Sequence, residues 1–441
     1  MPWAGPVTPT APAPLTSRRS GVAVSATLAA NEALARRRRG GQRILPLAFG
    51  EAGLPVHPQL REALAAAADI GSYGPVAGIP ALREAAAGYW TRRGLPTEPG
   101  GVVAGPGSKP LLYAVLLAIG TDVAVPCPSW VSYAAQTRLI GTRPHFVPAA
   151  PGEGGSGGGG VCDPEALERA VTRAAADGRT IRAVIATLPD NPTGRLASPA
   201  AVRELCAVAE RHDLIIISDE IYRDLVHDPA AEFLSPASVA PERTVVTTAL
   251  SKSLALGGWR IGAARLPDGP LGPGLTERVL GVASEIWSAP AAPVQHAAAV
   301  GFSESAEITQ RITRSRALHA AVVRAVAARF RSAGLIVPAP QAAFYLYPDF
   351  APWREPLARR GIRTGADLAR HLVDQYGAGS LPASAFGEPE DALRLRLATG
   401  LLYGDSDSQR EAALQAADPL ELPWVADALT AIEDMLSDLS P

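Results

Sequence analysis

The chain has 441 residues, of which 47% are hydrophobic and 19% charged, so it has enough apolar mass for the cores of two or three domains. Its formal net charge of -2 provides no basic face for nucleic acid or an anionic membrane, and no apolar segment reaches the ~18 to 20 residues of a membrane span. Its three cysteines have neither CxxC spacing nor paired histidines, which argues against a disulfide framework and a metal site. We therefore expect a cytoplasmic protein that acts on small molecules.

The N-terminal region contains two stretches of different composition. Residues 1–21 are rich in Pro, Ala, Ser and Thr, and this composition is typical of a disordered tail rather than of a signal peptide. The basic run Arg36 to Arg39 then ends an alanine-rich helical stretch just before Gly40. Arginines suit the negative end of a helix dipole and glycine suits its cap. The run therefore predicts a helix terminus rather than a nucleic-acid patch.

Short apolar runs alternate with alanine-rich amphipathic stretches through the middle of the chain, which is typical of an α/β protein with a largely parallel sheet. Four of these runs are each followed directly by a turn that is rich in chemically active residues. They are Val123 to Val125, Arg182 to Thr187, Leu214 to Ile217 and Thr244 to Thr247. Because ligands of open α/β sheets bind at the carboxyl ends of the strands, we expect the four turns to converge on one crevice.

Two segments beside these runs have clear local signals. Ser198 and Pro199 predict the start of a helix that ends at His212-Asp213. The insert Pro151 to Gly160, PGEGGSGGGG, predicts a flexible surface loop, and we assign it no function.

The turn after the fourth run contains a lysine in an unusual setting. The segment TALSKSLALGGWRIG places Lys252 eight residues before Arg260. A desolvated lysine near other cations loses its proton and forms a Schiff base with an aldehyde, and a guanidinium suits a phosphate. Pyridoxal 5′-phosphate (PLP) is an aldehyde that carries a phosphate, so this segment is a candidate PLP site. The alternative is that both residues are ordinary surface cations.

Two earlier turns offer further groups to such a cofactor. Gly107, Ser108 and Lys109 precede an apolar helical stretch and predict free backbone N–H groups at a helix start, where a phosphate binds well. A plain glycine turn with a serine cap fits these residues equally well. The indole of Trp130 could stack on a flat pyridine ring, and a tryptophan that only packs in the core is an equally good interpretation.

The turns after the second and third runs supply polar side chains. Asn191, in DNPTG, either begins a Pro-directed turn or donates to a phenolic oxygen. Asp219 follows an apolar run, and a buried carboxylate there needs a cationic partner such as a pyridinium nitrogen. Tyr222 lies three residues later, within reach of the neighbouring ring oxygen. The alternative is that Asp219 only caps the next helix.

Together these motifs resemble those of the class I and II aminotransferases of the fold-type I PLP enzymes. The resemblance extends from about residue 22 to 405 and includes Asn191-Pro-Thr-Gly194, Asp219-Glu-Ile-Tyr222, Ser251-Lys252 with Gly258-Trp-Arg-Ile-Gly262, and Arg394-Leu-Arg-Leu-Ala398. It implies an α/β fold in which a large domain contains a mostly parallel central sheet and a smaller α/β domain adjoins it. We expect residues 59–329 to form the large PLP-binding domain, and residues 22–58 and 330–441 to form the small domain.

The resemblance also implies a role for each matching residue. Lys252 would hold PLP as a Schiff base and move a proton between the substrate Cα and the cofactor. Asp219 would pair with the pyridinium and Trp130 would stack on the ring. The ring oxygen would be bound by Asn191 and Tyr222, and the phosphate by Gly107, Ser108, Lys109, Ser251 and Arg260.

Substrate binding and subunit contacts are implied in the same way. Arg394 would bind the substrate α-carboxylate, with Gly50 contributing a backbone contact and Asn191 also facing the substrate. Arg396 competes for this role, but it lies two residues along the same strand face and the motif matches at Arg394. Tyr73, in SYGPVAGIPALR, would reach the site from the other subunit, which implies a homodimer with shared active sites.

The chain departs from the family pattern at two places. Family members often have a serine or threonine three residues before the lysine, where this chain has Ala249. One phosphate hydrogen bond is then either missing or supplied by Thr248. The PG-x-FG segment near the end is here Pro382 to Gly387, PASAFG. Neither departure argues against PLP binding, and both leave the subgroup open.

The implied activity is that of a PLP-dependent aminotransferase, which transfers the amino group between an L-α-amino acid and a 2-oxo acid by a ping-pong mechanism. Fold-type I sites also carry out eliminations, cyclisations and oxidations, and these remain alternatives. A PLP-binding transcriptional regulator is disfavoured, because it predicts an N-terminal DNA-binding module of about 60 residues. The substrate clues conflict. Lys109 lies where aspartate-type members use a lysine toward a distal carboxylate, although a solvated lysine at a helix start fits equally well. If Glu285 and Trp287 face the substrate, the glutamate would repel an acidic side chain.

Overall fold

The computed structural model describes residues 25–151 and 157–440, so the predicted tail, residues 1–21, lies outside the described residues. The helices are α1 (Ala26–Arg39), α2 (Pro58–Ala66), α3 (Pro80–Thr91), α4 (Ser108–Ile119), α5 (Val131–Leu139), α6 (Pro164–Ala176), α7 (Pro199–Arg211), α8 (Leu250–Ser253), α9 (Leu271–Ile286), α10 (Ala292–Ser303), α11 (Ala306–Ser332), α12 (Arg354–Arg359), α13 (Gly365–Tyr376), α14 (Asp407–Gln415) and α15 (Pro423–Leu439). The strands are β1 (Val102–Gly105), β2 (Asp122–Cys127), β3 (Pro144–Pro151), β4 (Gly157–Cys162), β5 (Ile181–Thr187), β6 (Ile215–Asp219), β7 (Thr244–Ala249), β8 (Gly262–Arg265), β9 (Tyr345–Leu346), β10 (Leu381–Pro382) and β11 (Leu395–Ala398).

An eight-stranded sheet in the order β1-β8-β7-β6-β5-β2-β3-β4 forms the centre of the fold. The neighbouring strands from β3 through β2, β5 and β6 to β7 are parallel. Strands β8, β1 and β4 add antiparallel pairs at the two edges. Because helices cover both faces of a parallel sheet, its strands are buried along their whole length, as β7 is. The predicted α/β class with a largely parallel sheet is confirmed.

All four predicted apolar runs lie in the parallel strands β2, β5, β6 and β7. In the register of the sheet, Thr187 pairs with Asp219, and Asp219 pairs with Thr247. The ends of these three central strands therefore lie side by side, and the turns that follow them open at the same edge of the sheet.

Two predicted helix termini are confirmed. Helix α7 begins at Pro199, and the Ser198 hydroxyl accepts a hydrogen bond from the backbone N–H of Ala201 at 3.2 Å. Helix α1 ends with its run of arginines, and the backbone N–H of Gly40 caps it by donating to the Arg36 carbonyl at 3.1 Å. None of the helices in the described ranges has the length and apolar character that a membrane crossing requires.

The glycine-rich insert forms β-strand at both of its ends, so the prediction of a flexible loop is wrong for those residues. Pro151 ends β3, Gly157 begins β4, and the two strands pair as an antiparallel hairpin. Residues 152–156, between the strands, lie outside the described part of the chain. Gly160 has a φ of 81° and packs directly on the Thr187 carbonyl, an approach that a Cβ atom would block.

A second, three-stranded sheet in the order β10-β11-β9 is antiparallel throughout. Its strand β11 lies in one hydrophobic cluster with Leu45 and Leu47 and with helices α11, α13 and α15. The predicted amphipathic C-terminal helix is confirmed, since α15 buries Val425, Leu429, Ile432, Met435, Leu436 and Leu439. The division of the chain into domains at residues 58 and 330 stays a prediction.

Candidate active site

A cleft of about 580 Å³ opens at the carboxyl ends of β5, β6 and β7 and continues to α1, α4 and α5. Ten of the sequence-predicted site residues line it. They are Gly50, Ser108, Lys109, Trp130, Asn191, Asp219, Tyr222, Ser251, Lys252 and Arg260. The predicted convergence of the strand-end turns is therefore observed.

Lys252 lies on the short helix α8, directly after β7. Its amine donates a hydrogen bond to the Gly50 carbonyl and lies 5.8 Å from the centre of the Tyr222 ring. Burial and then the charge of Arg396 lower the pKa of Lys252 from 10.5 to about 8. About a tenth of this amine is therefore neutral, and hence nucleophilic, at pH 7.

Asp219 ends β6 and is only 2% exposed. Its carboxylate accepts hydrogen bonds from the Tyr133 hydroxyl at 2.9 Å and the Thr247 hydroxyl at 3.2 Å. Burial raises the pKa of Asp219 to about 6 in spite of these donors. No ion pair within residues 25–151 and 157–440 includes Asp219. The buried carboxylate is thus suited to a cationic or proton-donating ligand.

Tyr222 and Asn191 are both buried beside Asp219 in the cleft. The Tyr222 hydroxyl shares a hydrogen bond of 2.8 Å with the Tyr345 hydroxyl. The side-chain oxygen of Asn191 has no hydrogen-bond partner among the described residues. Because an amide can turn over to exchange its oxygen and nitrogen, Asn191 can offer either a donor or an acceptor to a ligand.

An arginine and a helix start meet at one end of the cleft. Gly107 precedes α4 with a φ of 91°, and a Cβ atom on it would collide with the Arg260 guanidinium. Arg260 donates to the carbonyls of Gly257 at 2.9 Å and Pro106 at 3.2 Å. The buried Ser108 and Ser251 line the cleft beside them. Free backbone N–H groups, hydroxyls and a guanidinium together suit a phosphate.

Trp130 and Lys109 form one wall of the cleft. The Lys109 amine lies 5.0 Å from the centre of the Trp130 ring, and the Trp130 ring meets Tyr133 edge-on with the ring centres 5.2 Å apart. Partial burial of the amine and the charge of Arg260 lower the pKa of Lys109. The indole packs against Tyr133 and the adjoining hydrophobic cluster, and part of it lines the cleft.

The structure places the two C-terminal arginines differently, and the role predicted for Arg394 stays a prediction. Arg394 lies just before β11 and does not line the cleft. Its guanidinium is 40% exposed and forms ion pairs with Asp349, at 2.9 Å, and with Glu388. Arg396 lies in the cleft instead and is 2% exposed. The sequence pattern could not reveal the two acidic partners of Arg394.

Tyr73 is 92% exposed and lies outside the cleft of its own chain, between α2 and α3. Its predicted contribution to the site of another subunit stays a prediction.

Two substrate clues from the sequence are corrected. Glu285 is exposed, lies outside the cleft, and accepts a hydrogen bond from the Ser284 hydroxyl at 2.9 Å. Trp287 lines a separate cavity of about 380 Å³ on the other side of Lys109. Glu285 therefore no longer argues against an acidic donor. Thr248, the predicted substitute for a hydroxyl at Ala249, is also absent from the cleft lining.

The sequence analysis missed several residues of the site. Tyr133 anchors Asp219, Tyr345 pairs with Tyr222, and Glu51 lines the cleft beside Gly50. Tyr133 stands on the first turn after Trp130, so helical spacing could have indicated it. The contact of Tyr345 with Tyr222 joins positions 123 residues apart and has no local signal.

Among the described residues, no group of three or more His, Cys, Asp or Glu side chains is arranged to hold a metal ion.

Comparisons with known proteins agree with this geometry. The family model for aminotransferase class I and II matches residues 44–401. An aspartate aminotransferase from Geobacillus stearothermophilus is 32% identical over 88% of this chain and 95% of its own length. A probable aspartate/prephenate aminotransferase from Thermus aquaticus is 32% identical over 80% of this chain and 89% of its own length.

The solved structures include similar folds over nearly the whole chain. Aspartate aminotransferase from Thermus thermophilus with maleate superposes with a TM-score of 0.76 and 30% sequence identity, and the match covers 91% of this chain and 98% of that one. The family model covers most of the sequence, and this structure has the same layered α/β architecture. The chain therefore belongs to the class I and II aminotransferases, as the motifs predicted, and it is a transaminase of fold type I.

Proposed function

We propose that this transaminase binds PLP through Lys252 and transfers the amino group between an L-α-amino acid and a 2-oxo acid. The proposal rests on one observation: two chemically suited groups line the same cleft. These groups are an amine with a pKa of about 8, on Lys252, and the buried carboxylate of Asp219, which has no ionic partner in the described residues. Schiff-base chemistry needs the first group, and a protonated pyridine needs the second.

The unsatisfied groups of the cleft fit PLP. Asp219 would pair with the pyridine nitrogen, and the amide of Asn191, whose oxygen has no partner among the described residues, would bind the ring oxygen together with Tyr222. The start of α4, with Ser108, and Arg260 would hold the phosphate. When bound, PLP supplies an electron sink for the carbon that carries the substrate amino group.

The chain's own residues supply proton transfer and orientation. The Lys252 amine, which is partly neutral near pH 7, can take a proton from the substrate Cα and return one. The Tyr222–Tyr345 hydrogen bond fixes both hydroxyls beside it. Trp130 would cover the ring, and Thr27 and Leu28 of α1 also line the cleft.

Exposure of Tyr73 supports the proposal of a homodimer with shared sites. A tyrosine that is 92% exposed leaves a large amphipathic surface in water, and such residues are enriched at subunit interfaces. The free state of Cys127, Cys162 and Cys206 supports a location in the reducing cytoplasm, because oxidising compartments favour disulfides.

We propose an acidic amino acid, L-aspartate, as the donor. Lys109 lines the cleft and can receive a distal carboxylate, whereas the acidic Glu285 lies outside it. The relatives from Geobacillus stearothermophilus and Thermus aquaticus are named for aspartate and for aspartate or prephenate. Their names support the same class of donor here.

A half-reaction tests the proposed function. PLP-loaded protein is mixed with one L-amino acid and no oxo acid, and the released products are quantified. We expect one 2-oxo acid per subunit, after which the reaction stops until an oxo acid is added, and no reaction in Lys252→Ala. Continuous release of ammonia or peroxide would contradict transamination and favour elimination or oxidation.

The donor is tested with Lys109→Ala. We expect kcat/KM for L-aspartate to fall roughly 10- to 100-fold, because a hydrogen bond to a charged group is lost, while kcat/KM for L-alanine changes little. An equal fall for both donors would contradict a contact of Lys109 with the distal carboxylate.

A further inference from the structure

We propose that Tyr133 is a positioning residue that keeps the carboxylate of Asp219 ionised, through a chain of hydroxyl hydrogen bonds that begins at Thr187. An ionised carboxylate favours the protonated form of a pyridine nitrogen beside it. This inference rests on the proposed function, because Asp219 needs a stable charge only if it pairs with that nitrogen.

Four buried side chains form the hydrogen-bond chain, and the central sheet places three of them. Thr187, Asp219 and Thr247 are register partners on β5, β6 and β7, and each is at most 2% exposed. Tyr133, on α5, is also fully buried, and its hydroxyl lies 3.0 Å from the Thr187 hydroxyl and 2.9 Å from one oxygen of Asp219. The Thr247 hydroxyl lies 3.2 Å from the other oxygen. Each oxygen of Asp219 therefore contacts a hydroxyl.

The hydrogen atoms of this chain point one way while Asp219 is ionised. A carboxylate accepts hydrogen bonds and donates none, so Tyr133 gives its only hydrogen to Asp219. The Tyr133 oxygen can then accept the hydrogen of Thr187. The Thr247 hydroxyl and the backbone N–H of Ile221 also donate to the carboxylate. Because donors favour the charged form of a carboxylate, this arrangement is complementary to an ionised Asp219.

The hydroxyl of Tyr133 matters because burial acts in the opposite direction. Burial raises the pKa of Asp219 to about 6, and the hydrogen bond from Tyr133 is the largest of the effects that lower it. With this bond in place, about a tenth of Asp219 is protonated at pH 7. Loss of a hydrogen bond to a charged group corresponds to roughly a tenfold change in proton affinity. Without the hydroxyl, about half of Asp219 would therefore be neutral at pH 7.

Two further charged groups act on or respond to Asp219, and each has a partner of its own. Glu220, the next residue, raises the pKa of Asp219 and is paired with Arg223 at 3.0 Å. Lys252, on α8, has a pKa that the charge of Asp219 raises, and its amine donates to the Gly50 carbonyl. The donation to the carboxylate is therefore left to the hydroxyls and the backbone.

The phenol of Tyr133 is a permanent donor. Burial, and then the negative charge of Asp219, raise its pKa well above 10, and Asp190, in the turn after β5, acts in the same direction. Burial raises the pKa of Tyr222, the other phenol near Asp219, well above 10 as well. Asp190 and Lys252 titrate nearer neutral pH, because burial raises the first pKa to about 7 and lowers the second to about 8. A test must therefore isolate the titration of Asp219 itself.

Tyr133 also contacts a second residue that is proposed to bind PLP. Its ring meets the Trp130 ring edge-on, with the ring centres 5.2 Å apart and the planes at 84°. On the backbone side, the Thr137 hydroxyl donates to the Tyr133 carbonyl at 2.9 Å. That bond lies on the same helix and does not include the phenol, so its removal provides a matched control.

Tyr133→Phe, which removes only the hydroxyl, tests the inference in the cofactor-free protein. Urea denaturation between pH 4 and pH 9 is measured for the wild type and Tyr133→Phe, each with and without Asp219→Asn. The difference between each protein and its Asp219→Asn form isolates Asp219 from Asp190 and Lys252. Folded Asp219 holds its proton more tightly than the unfolded chain does, so this contribution is lost as the pH rises through the folded pKa. Tyr133→Phe should move the end of that loss upward by about one pH unit.

The ring nitrogen of bound PLP reports the same charge in the loaded protein. PLP labelled with ¹⁵N at this nitrogen is bound to each protein, and its ¹⁵N chemical shift gives the fraction of protonated rings at pH 7.5. The wild type is expected to hold the ring largely protonated. Tyr133→Phe should raise the ratio of neutral to protonated rings about tenfold, because the ionised carboxylate has lost its strongest donor.

Two threonine variants show whether the effect belongs to the hydrogen-bond chain. Thr137→Val should change neither the titration of Asp219 nor the ¹⁵N shift, although it removes a buried hydroxyl from the same helix. Thr187→Val should move both in the direction of Tyr133→Phe by a smaller amount, because a hydroxyl that accepts a hydrogen bond is a stronger donor. No movement of either readout in Tyr133→Phe, or equal movements in Tyr133→Phe and Thr137→Val, would overturn the inference.

The two readouts do not depend on turnover, so they separate this inference from the proposed function. If both move in Tyr133→Phe but the loaded wild type releases no 2-oxo acid from any donor, the inference stands and the proposed function fails. If the wild type transaminates and both readouts are the same in Tyr133→Phe as in the wild type, the inference fails and the proposed function stands.

Discussion

Replacing Asp219 by asparagine is expected to stabilise the cofactor-free protein at pH 7 while removing most of its affinity for PLP. Burial raises the pKa of Asp219 from 3.8 to about 6, although Tyr133 and Thr247 donate to it. This difference corresponds to about 3 kcal/mol that the ionised carboxylate costs the folded chain. In asparagine an NH₂ group replaces one carboxylate oxygen. One hydrogen bond to residue 219 is then lost, which costs the folded protein about 1 kcal/mol. The free energy of unfolding should therefore rise by about 2 kcal/mol.

The pH dependence gives the sharper form of this prediction. Folded Asp219 holds its proton more tightly than the unfolded chain does, so wild-type stability falls as the pH rises from about 4 to about 6. The asparagine variant lacks this contribution. Its advantage should be complete above about pH 7, shrink as the pH falls through 6, and reverse below about pH 4, where the lost hydrogen bond leaves the variant about 1 kcal/mol less stable than the wild type.

Urea denaturation of the cofactor-free proteins between pH 4 and pH 8 measures this difference. Asp122→Asn is the matched control: burial alone would raise the pKa of Asp122, but hydrogen bonds from Arg179 and His145 lower it to about 2. Its removal should therefore destabilise the protein at pH 7. An Asp219→Asn protein that is less stable than the wild type at pH 7, or whose advantage does not change with pH, would refute the reasoning.

Three further predictions concern the cofactor and the assembly. When PLP is added to the cofactor-free protein, the rate of Schiff-base formation should rise with pH around a midpoint of about 8, and a midpoint near 10.5 would contradict the lowered pKa of Lys252. Gly107→Ala should weaken PLP binding about tenfold or more in equilibrium dialysis, because its Cβ atom would collide with the Arg260 guanidinium. The binding of pyridoxal, which has no phosphate, should not change. Gly101→Ala is the control, since the space at its Cβ position is open. Tyr73→Ala and Lys252→Ala, each inactive, should regain about a quarter of wild-type activity when subunits are mixed equally, and no recovery would contradict shared sites.

The positions of Lys252, Asp219 and Asn191 could be predicted because each follows a strand that is buried on both faces. Such strands are rich in apolar and β-branched residues, so their ends are visible in the sequence. Parallel neighbours then bring those ends to one edge of the sheet, whatever the order of the strands. The sequence could therefore indicate the cleft without the sheet order β7-β6-β5-β2.

The parts that the sequence could not predict depend on partners far along the chain. Arg394 and Arg396 lie two residues apart, and nothing in the local sequence shows that Arg394 pairs with Asp349 and Glu388 whereas Arg396 lines the cleft. The glycine insert has a composition typical of a loop, yet Gly160 is needed because β4 packs against the end of β5. Composition reports local flexibility and does not report such a close approach.

The opposite charges of Arg396 and Asp219 both act on the amine of Lys252. After burial, Arg396 lowers the pKa of Lys252 most, whereas Asp219 raises it. Arg396→Met should therefore move the midpoint of Schiff-base formation in the cofactor-free protein above 8, and Arg394→Lys should leave it in place. A midpoint that is unchanged in Arg396→Met would show that the charges of Arg396 and Lys252 are not coupled.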